Sequence, residues 1–241
     1  MLTFPAQLSE TVAAIYSHLK QQLQESCHIS PYKKITTNNS TYGDIEMQIE
    51  KINHPHYQRG RLCSFKLNQQ QIGMMFFMLP KAENALPIFG TDIMSSPYAL
   101  SLLVLDTSFA FKKNKLSKQF DDQLQKTAKR LLTIAKRRKT PAVFQPYFSD
   151  EHIIVGVKKQ QETSAPNIVN AYHDWVCLQL SNKPLQLNSS DTEENFNFCK
   201  GWIQAMRKNI KEENYWEKVF GKQTTHDILN YYLFKELTSH H

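Results

Sequence analysis

Glycine is scarce in this sequence. Seven occur in 241 residues, and none falls into GxGxxG, a Walker loop or a nucleophile elbow. A built-in nicotinamide, flavin or nucleotide site loses most of its support. Cysteine is sparse too: Cys27, Cys63, Cys177 and Cys199 stand far apart, in no metal-ligand spacing. They are expected to be reduced, mostly buried thiols. No HExxH or EF-hand loop occurs, so no metal site is expected. His54-Pro55-His56 has a stiff proline between its rings and no third ligand nearby, and reads as a surface turn. His173-Asp174 reads poorly as a dyad, because neighbours on a predicted helix point in different directions. Long apolar runs are missing as well. The longest, Ile72 to Leu79, is far below the roughly 20 residues of a bilayer span. Met1 to Glu10 has no cationic start followed by an apolar run, so no signal peptide is expected and the protein reads as soluble and cytoplasmic.

Carboxylates are nearly absent from one segment. Between Lys112 and Lys139, eleven Lys or Arg stand against Asp121 and Asp122, a local +9. The whole chain carries +7, so the remainder sums to −2. A localised positive face steers acidic partners, whether nucleic acid, an anionic membrane or an acidic protein. Lys136-Arg137-Arg138-Lys139 could attract phosphates by counterion release. No nucleic-acid motif or interleaved aromatic platform accompanies it, however.

What is present is a core-forming chain, 41% hydrophobic, read as one domain over 1–241 without repeats or linkers. Val12, Ile15, Tyr16, Leu19 and Leu23 recur at helical spacing behind Ser9 as N-cap. Asp44 to Ile52 alternates, with Ile45, Met47 and Ile49 on one face, as a half-buried strand does. Further strands are predicted at Arg61–Leu67, Gln71–Leu79, Ala99–Asp106 and near His152–Lys158, with Asn68-Gln69-Gln70 as a hairpin loop. Such closely spaced strands imply an antiparallel meander. Helices are predicted at Ser117–Arg138, with Phe120, Leu124, Leu131, Leu132 and Ala135 inward, and at Asn167–Leu180, Thr192–Lys208 and Thr224–Leu237. Helices at both ends around a central sheet suggest a three-layer α/β/α sandwich with an antiparallel sheet.

Two stretches carry more. The first is Leu86-Pro87-Ile88-Phe89-Gly90-Thr91-Asp92-Ile93-Met94, followed by the strand ending in Asp106. The second is Lys208-Asn209-Ile210-Lys211, then Glu217-Lys218-Val219-Phe220-Gly221 and Tyr232-Leu233-Phe234. A weaker echo is Phe148-Ser149. Together these resemble the ferredoxin-dependent bilin reductases, nearest the phycocyanobilin:ferredoxin oxidoreductase branch. The resemblance implies an α/β/α fold and reduction of biliverdin IXα, or a dihydrobiliverdin, to a phytobilin by coupled single-electron and proton transfers. No bound cofactor is implied. Reduced ferredoxin supplies electrons from outside, and heme oxygenase is the implied supplier of substrate.

The resemblance makes Asp92 the central proton donor and places Asn209 and Lys211 along the bilin. Met75 and Phe89 would flank it, and Lys158 or Lys159 would hold a propionate. Ferredoxins are acidic, so Lys136, Arg137, Arg138 and Lys139 would form the docking face, with no membrane and no nucleic acid needed. An aspartic acid delivers protons near neutral pH only if burial or nearby negative charge raises its pKa. Asp92 lies between Phe89 and Ile93, where burial is expected. The chain also departs from the branch: counted back without gaps from Asp92, the positions of its histidine and glutamate hold Met75 and Cys63. That leaves open which double bond is reduced; the alternatives are a bilin-binding protein without reductase activity, or a basic module that binds nucleic acid or an anionic membrane.

Overall fold

Helix α1 (Gln7–Gln24) opens the chain in this computed structural model, which describes residues 7–67, 71–96, 99–111 and 115–238. It begins ahead of Ser9, which therefore lies inside the helix and not at its N-cap. Val12, Ile15, Leu19 and Leu23 form its buried stripe. Six strands follow without interruption: β1 (His28–Asn39), β2 (Gly43–His54), β3 (Tyr57–Leu67), β4 (Gln71–Pro80), β5 (Ile88–Ser96) and β6 (Ala99–Ser108). Each pairs antiparallel with the next, as short connections demand. The proposed hairpin loop at 68–70 lies outside the described residues. His54-Pro55-His56 turns between β2 and β3, as a surface turn should.

β1 has no apolar alternation, which is why periodicity alone misses it. Pairing with β2 holds it, helped by a turn in which the Asn39 side chain accepts from Thr41 N (2.8 Å) and Gly43 takes φ 65. Only a residue tolerant of positive φ turns so tightly.

After α2 (Lys115–Leu131) the structure departs from the sequence reading. The helix predicted to Arg138 stops at Leu131, and Ala135–Arg137 form a short strand, β7. β7 pairs with β8 (Ile153–Lys158), which pairs with β6, so the sheet runs β1-β2-β3-β4-β5-β6-β8-β7. Sheet pairing overrides helical periodicity here. Leu132 is correspondingly exposed, at 41%, and not inward.

The C-terminal part is helical: α3 (Ala165–Leu180), α4 (Ser189–Arg207), α5 (Ile210–Phe220) and α6 (Lys222–Asp227), then a π-helical turn over Ile228–Leu233. The predicted last helix thus changes character at Ile228 and ends at Leu233. α5 is a separate element that the sequence reading did not isolate. Gly221, with φ 80 and ψ 161, ends it, a backbone conformation open essentially to glycine alone.

Helices α1, α2 and α3 cover one face of the sheet; α4, α5, α6 and the π turn cover the other. The architecture is the three-layer α/β/α sandwich expected. Among the described residues, no helix is long and apolar enough to cross a membrane.

α1 is tied to the sheet by one polar cluster. Glu50, 2% exposed, accepts from Tyr16 Oη (2.6 Å) and Lys20 Nζ (2.7 Å). Breaking a fully buried ion pair costs roughly 3–5 kcal/mol, but Lys20 is about a third exposed, which lowers the figure. Lys20→Met should therefore cost about 2–3 kcal/mol, and more than Glu50→Gln, because it strands a carboxylate. Urea unfolding of the two variants checks both the size and the order.

Candidate active site

The two faces of the sheet are filled differently. Toward α1–α3 the apolar side chains form one continuous cluster. Toward α4–α6 they form two, one under the C-terminal helices and one around Phe144, Phe148, Ile154 and Ala205. Between these two the layers stay apart, leaving a cavity of about 560 Å³, within the roughly 300–1,000 Å³ of ligand pockets. Its floor is Met75, Gly90, Asp92, Met94, Leu102 and Val104; Trp202, Met206 and Trp216 face it from α4 and α5. A Cβ built on Gly90 meets nothing within 4 Å, so a flat ligand could lie against the backbone there.

Strand pleating decides what faces the cavity. Ile88, Gly90, Asp92 and Met94 point toward it or its neighbouring cluster, whereas Phe89 and Ile93 point into the α1–α3 core. Phe89 packs against Tyr57 and Phe120, so its assignment as a ligand contact is corrected. Nor do Phe89 and Ile93 bury Asp92; the α4 and α5 layer does. Register places Cys63 beside Met75, Met75 beside Asp92 and Asp92 beside Val104. Met75 and Cys63 therefore stand in Asp92's own cross-strand row. Burial, with Asp92 as the next contributor, pushes the Cys63 thiol far above its ordinary range.

Asp92 stands on the cavity floor. Burial first, then the negative Glu212, raises its pKa from 3.8 to about 8. Glu212 was not foreseen. It sits in the first turn of α5, where Asn209 Nδ2 donates to Oε2 (3.1 Å) and Trp216 Nε1 to Oε1 (3.2 Å). Its spacing of three from Asn209 on a helix was the available signal. Asn209 and Lys211 both line the cavity, Lys211 from an exposed position.

A second buried carboxylate, Asp106, closes the far end of β6. Its Oδ1 accepts from Ser149 N (3.2 Å) and Oγ (2.6 Å), and Oδ2 from Ser108 Oγ. Burial raises its pKa and these donors oppose the rise. The network pins the Pro141–Phe148 segment that walls the cavity. The sequence reading had noted Asp106 and Phe148-Ser149 without linking them.

The basic quartet is redistributed. Lys136 and Arg137 lie on β7, exposed; Arg138 and Lys139 line the cavity, also exposed, and so stand at its mouth. Arg138 N donates to Ile154 O (2.7 Å). Its guanidinium lies over Gly156, where a Cβ would come within 3.0 Å of Nε and Nη2. The Lys158 side chain lies outside the described residues, as do Lys112 and Lys113. His173 is fully buried, with Nε2 3.1 Å from Thr91 Oγ1, and Asp174 pairs with His18, so the two do not act together. All four cysteines are free thiols. No three His, Cys, Asp or Glu gather as metal ligands among the described residues.

The raised pKa has a thermodynamic sign. Between pH 4 and about 8, folded Asp92 holds a proton that the unfolded chain has released, so its contribution to stability is full at low pH and lost as pH rises through 8. Asp92→Asn should remove a slope approaching about 1.4 kcal/mol per pH unit for one proton. Urea unfolding of both proteins from pH 5 to 9 measures it. Parallel curves would mean that Asp92 titrates normally.

Comparison with known proteins follows the geometry. The sequence model of the family "ferredoxin-dependent bilin reductase" matches residues 16–235. The phycocyanobilin:ferredoxin oxidoreductase of Trichodesmium erythraeum (strain IMS101) is 25% identical over 240 residues, 95% of this chain and 91% of that protein. The crystal structure of selenomethionine phytochromobilin synthase from tomato, in complex with biliverdin, superposes with a TM-score of 0.76 at 15% identity. It covers 92% of this chain and 82% of that one.

Proposed function

The chain belongs to the ferredoxin-dependent bilin reductases, a family of oxidoreductases, and from that premise we propose that it reduces biliverdin IXα, or a dihydrobiliverdin, in the cavity above β5. The observation that carries this reading is Asp92: a carboxyl held protonated near neutral pH, in an apolar space large enough for a tetrapyrrole, behind a mouth of three cations. Ferredoxin delivers one electron at a time. Each two-electron reduction of a double bond therefore consumes two electrons and two protons and passes through a radical. Asp92 gives one proton to the bilin and recovers it from water. An acid whose pKa lies near the working pH does both steps well.

The ligand's two propionates are anions, and Arg138, Lys139 and Lys211 are positioned to receive them. Arg138 can grip a carboxylate with two parallel N–H donors, whereas the lysines act as point charges. Met206, Trp202 and Trp216 supply the flat apolar contact that a conjugated ring system needs. Met75, beside Asp92 in the same row, neither gives nor takes a proton, so the role of proton donor rests on Asp92.

The anaerobic test is to add biliverdin IXα, then reduced ferredoxin, and to record product spectra. A coloured complex at about one bilin per chain is expected, one cavity taking one ligand. Asp92→Asn should bind the bilin and stall its reduction. Unaltered turnover in that variant, or no spectral change at micromolar protein, would overturn the assignment.

Splitting the basic quartet separates two roles. Charge reversal at Lys136 and Arg137 should slow ferredoxin-driven turnover and flatten its salt dependence while bilin affinity holds. Long-range fields raise association rates by about 10- to 1,000-fold and are screened over about 10 Å at 0.1 M salt. Reversal at Arg138 and Lys139 should weaken bilin binding itself. Equal effects of both pairs on bilin affinity would place no docking role on β7.

A further inference from the structure

We infer that Glu212 is the fixed anion that keeps Asp92 in its acid form, a positioning residue that acts on the reaction through Asp92. The inference rests on the reading of Asp92 as proton donor and adds the group that sets its working range.

Geometry separates the two carboxyls. Burial raises the Glu212 pKa, but both its oxygens are engaged, one by Asn209 Nδ2 and one by Trp216 Nε1, and these N–H donors oppose the rise by favouring the ionised form. Glu212 also lies in the first turn of an 11-residue helix, where negative charge is favoured. Asp92 has no such support: among the described residues, none hydrogen-bonds its carboxyl. Both side chains line the same apolar cavity. Two carboxyls sharing a low-dielectric space do not both ionise. The proton therefore stays on Asp92, the one without donors.

Other titratable groups around Asp92 do not supply that anion. Cys63 on β3 and Tyr215 on α5 are pushed far up by burial, and both remain neutral near pH 7. Asp106 on β6 is tied up with Ser108 and Ser149 and is not among the groups that raise the Asp92 pKa. Arg138, Lys139 and Lys211 would favour the ionised form of Asp92, but they stand exposed at the mouth, where water screens them. Glu212 is the charge left to hold the proton in place. Once Asp92 has given its proton away, two facing anions remain, and the next proton is drawn from water to relieve them.

Infrared titration of the ligand-free protein tests this without any reduction step. The carboxylic C=O band that Asp92→Asn removes belongs to Asp92, and it should vanish near pH 8 in the wild type. In Glu212→Gln, which is isosteric, the midpoint should fall by about 1–3 pH units, the span of a nearby like charge. An unchanged midpoint in a folded Glu212→Gln overturns the inference. Should that variant not fold, Asn209→Ala removes one donor from Glu212 and should shift the Asp92 midpoint downward by less; no shift there overturns it equally. With biliverdin and ferredoxin, the alkaline limb of turnover should move down in Glu212→Gln with little change in KM. Loss of bilin binding alone, with the infrared shift intact, counts against the functional reading and leaves the Asp92–Glu212 coupling standing.

Discussion

The pleat of β5 is the constraint on which the site depends. Side chains along a strand alternate, so a slip of one residue exchanges the two faces entirely. Here Phe89, Thr91 and Ile93 enter the closed core, while Gly90, Asp92 and Met94 meet the cavity. A slip would bury the Asp92 carboxyl against Phe120 and His173, and would push Phe89 into the ligand space. The antiparallel pairing to β4 and β6 on both sides fixes the register from Phe89 to Met94. Chemistry and packing are thus two readings of the same alternation.

The cavity exists because its wall does not collapse onto the sheet. Two apolar clusters support the C-terminal layer from either side, and polar ties hold the intervening segments at a distance. Asp106 anchors the segment after β7 through Ser149. Asn195 Nδ2 fixes the approach to β5 by donating to Ala82 and Asn84 carbonyls (3.0 and 3.1 Å). A preformed space of this kind raises the pKa of the carboxyls that face it before any ligand arrives.

Much of this was legible in the sequence where local pattern and tertiary demand agree. The alternation of Ile45, Met47 and Ile49, the α1 stripe and the Phe-Gly-x-Asp string each point to what is found. Misreadings arose where a distant partner decides. β1 has no apolar face of its own and is held by β2. Ala135–Arg137 continue a helical rhythm but are captured by β8. Phe89 sits three residues from Asp92, on a strand where that distance means opposite faces. Glu212 was invisible because its importance comes from facing Asp92 across a cavity, with 119 positions of sequence between them that no spacing rule joins. Arg138 likewise gains its place only once β7 is recognised as a strand.

β7 has one further consequence. It is the last strand of the sheet, and β1 is the first; among the described residues neither has a strand on its outer side, and unpaired backbone groups invite another chain to add on. Both borders carry the features that discourage this. β7 is three residues long and presents exposed Lys136 and Arg137. β1 has Pro31 at an irregularity in its pairing, with Lys34 exposed nearby. The positive residues at β7 therefore also guard against self-association, whatever partner they attract. Any redesign that neutralises them to alter docking would leave a bare strand border and a more aggregation-prone protein.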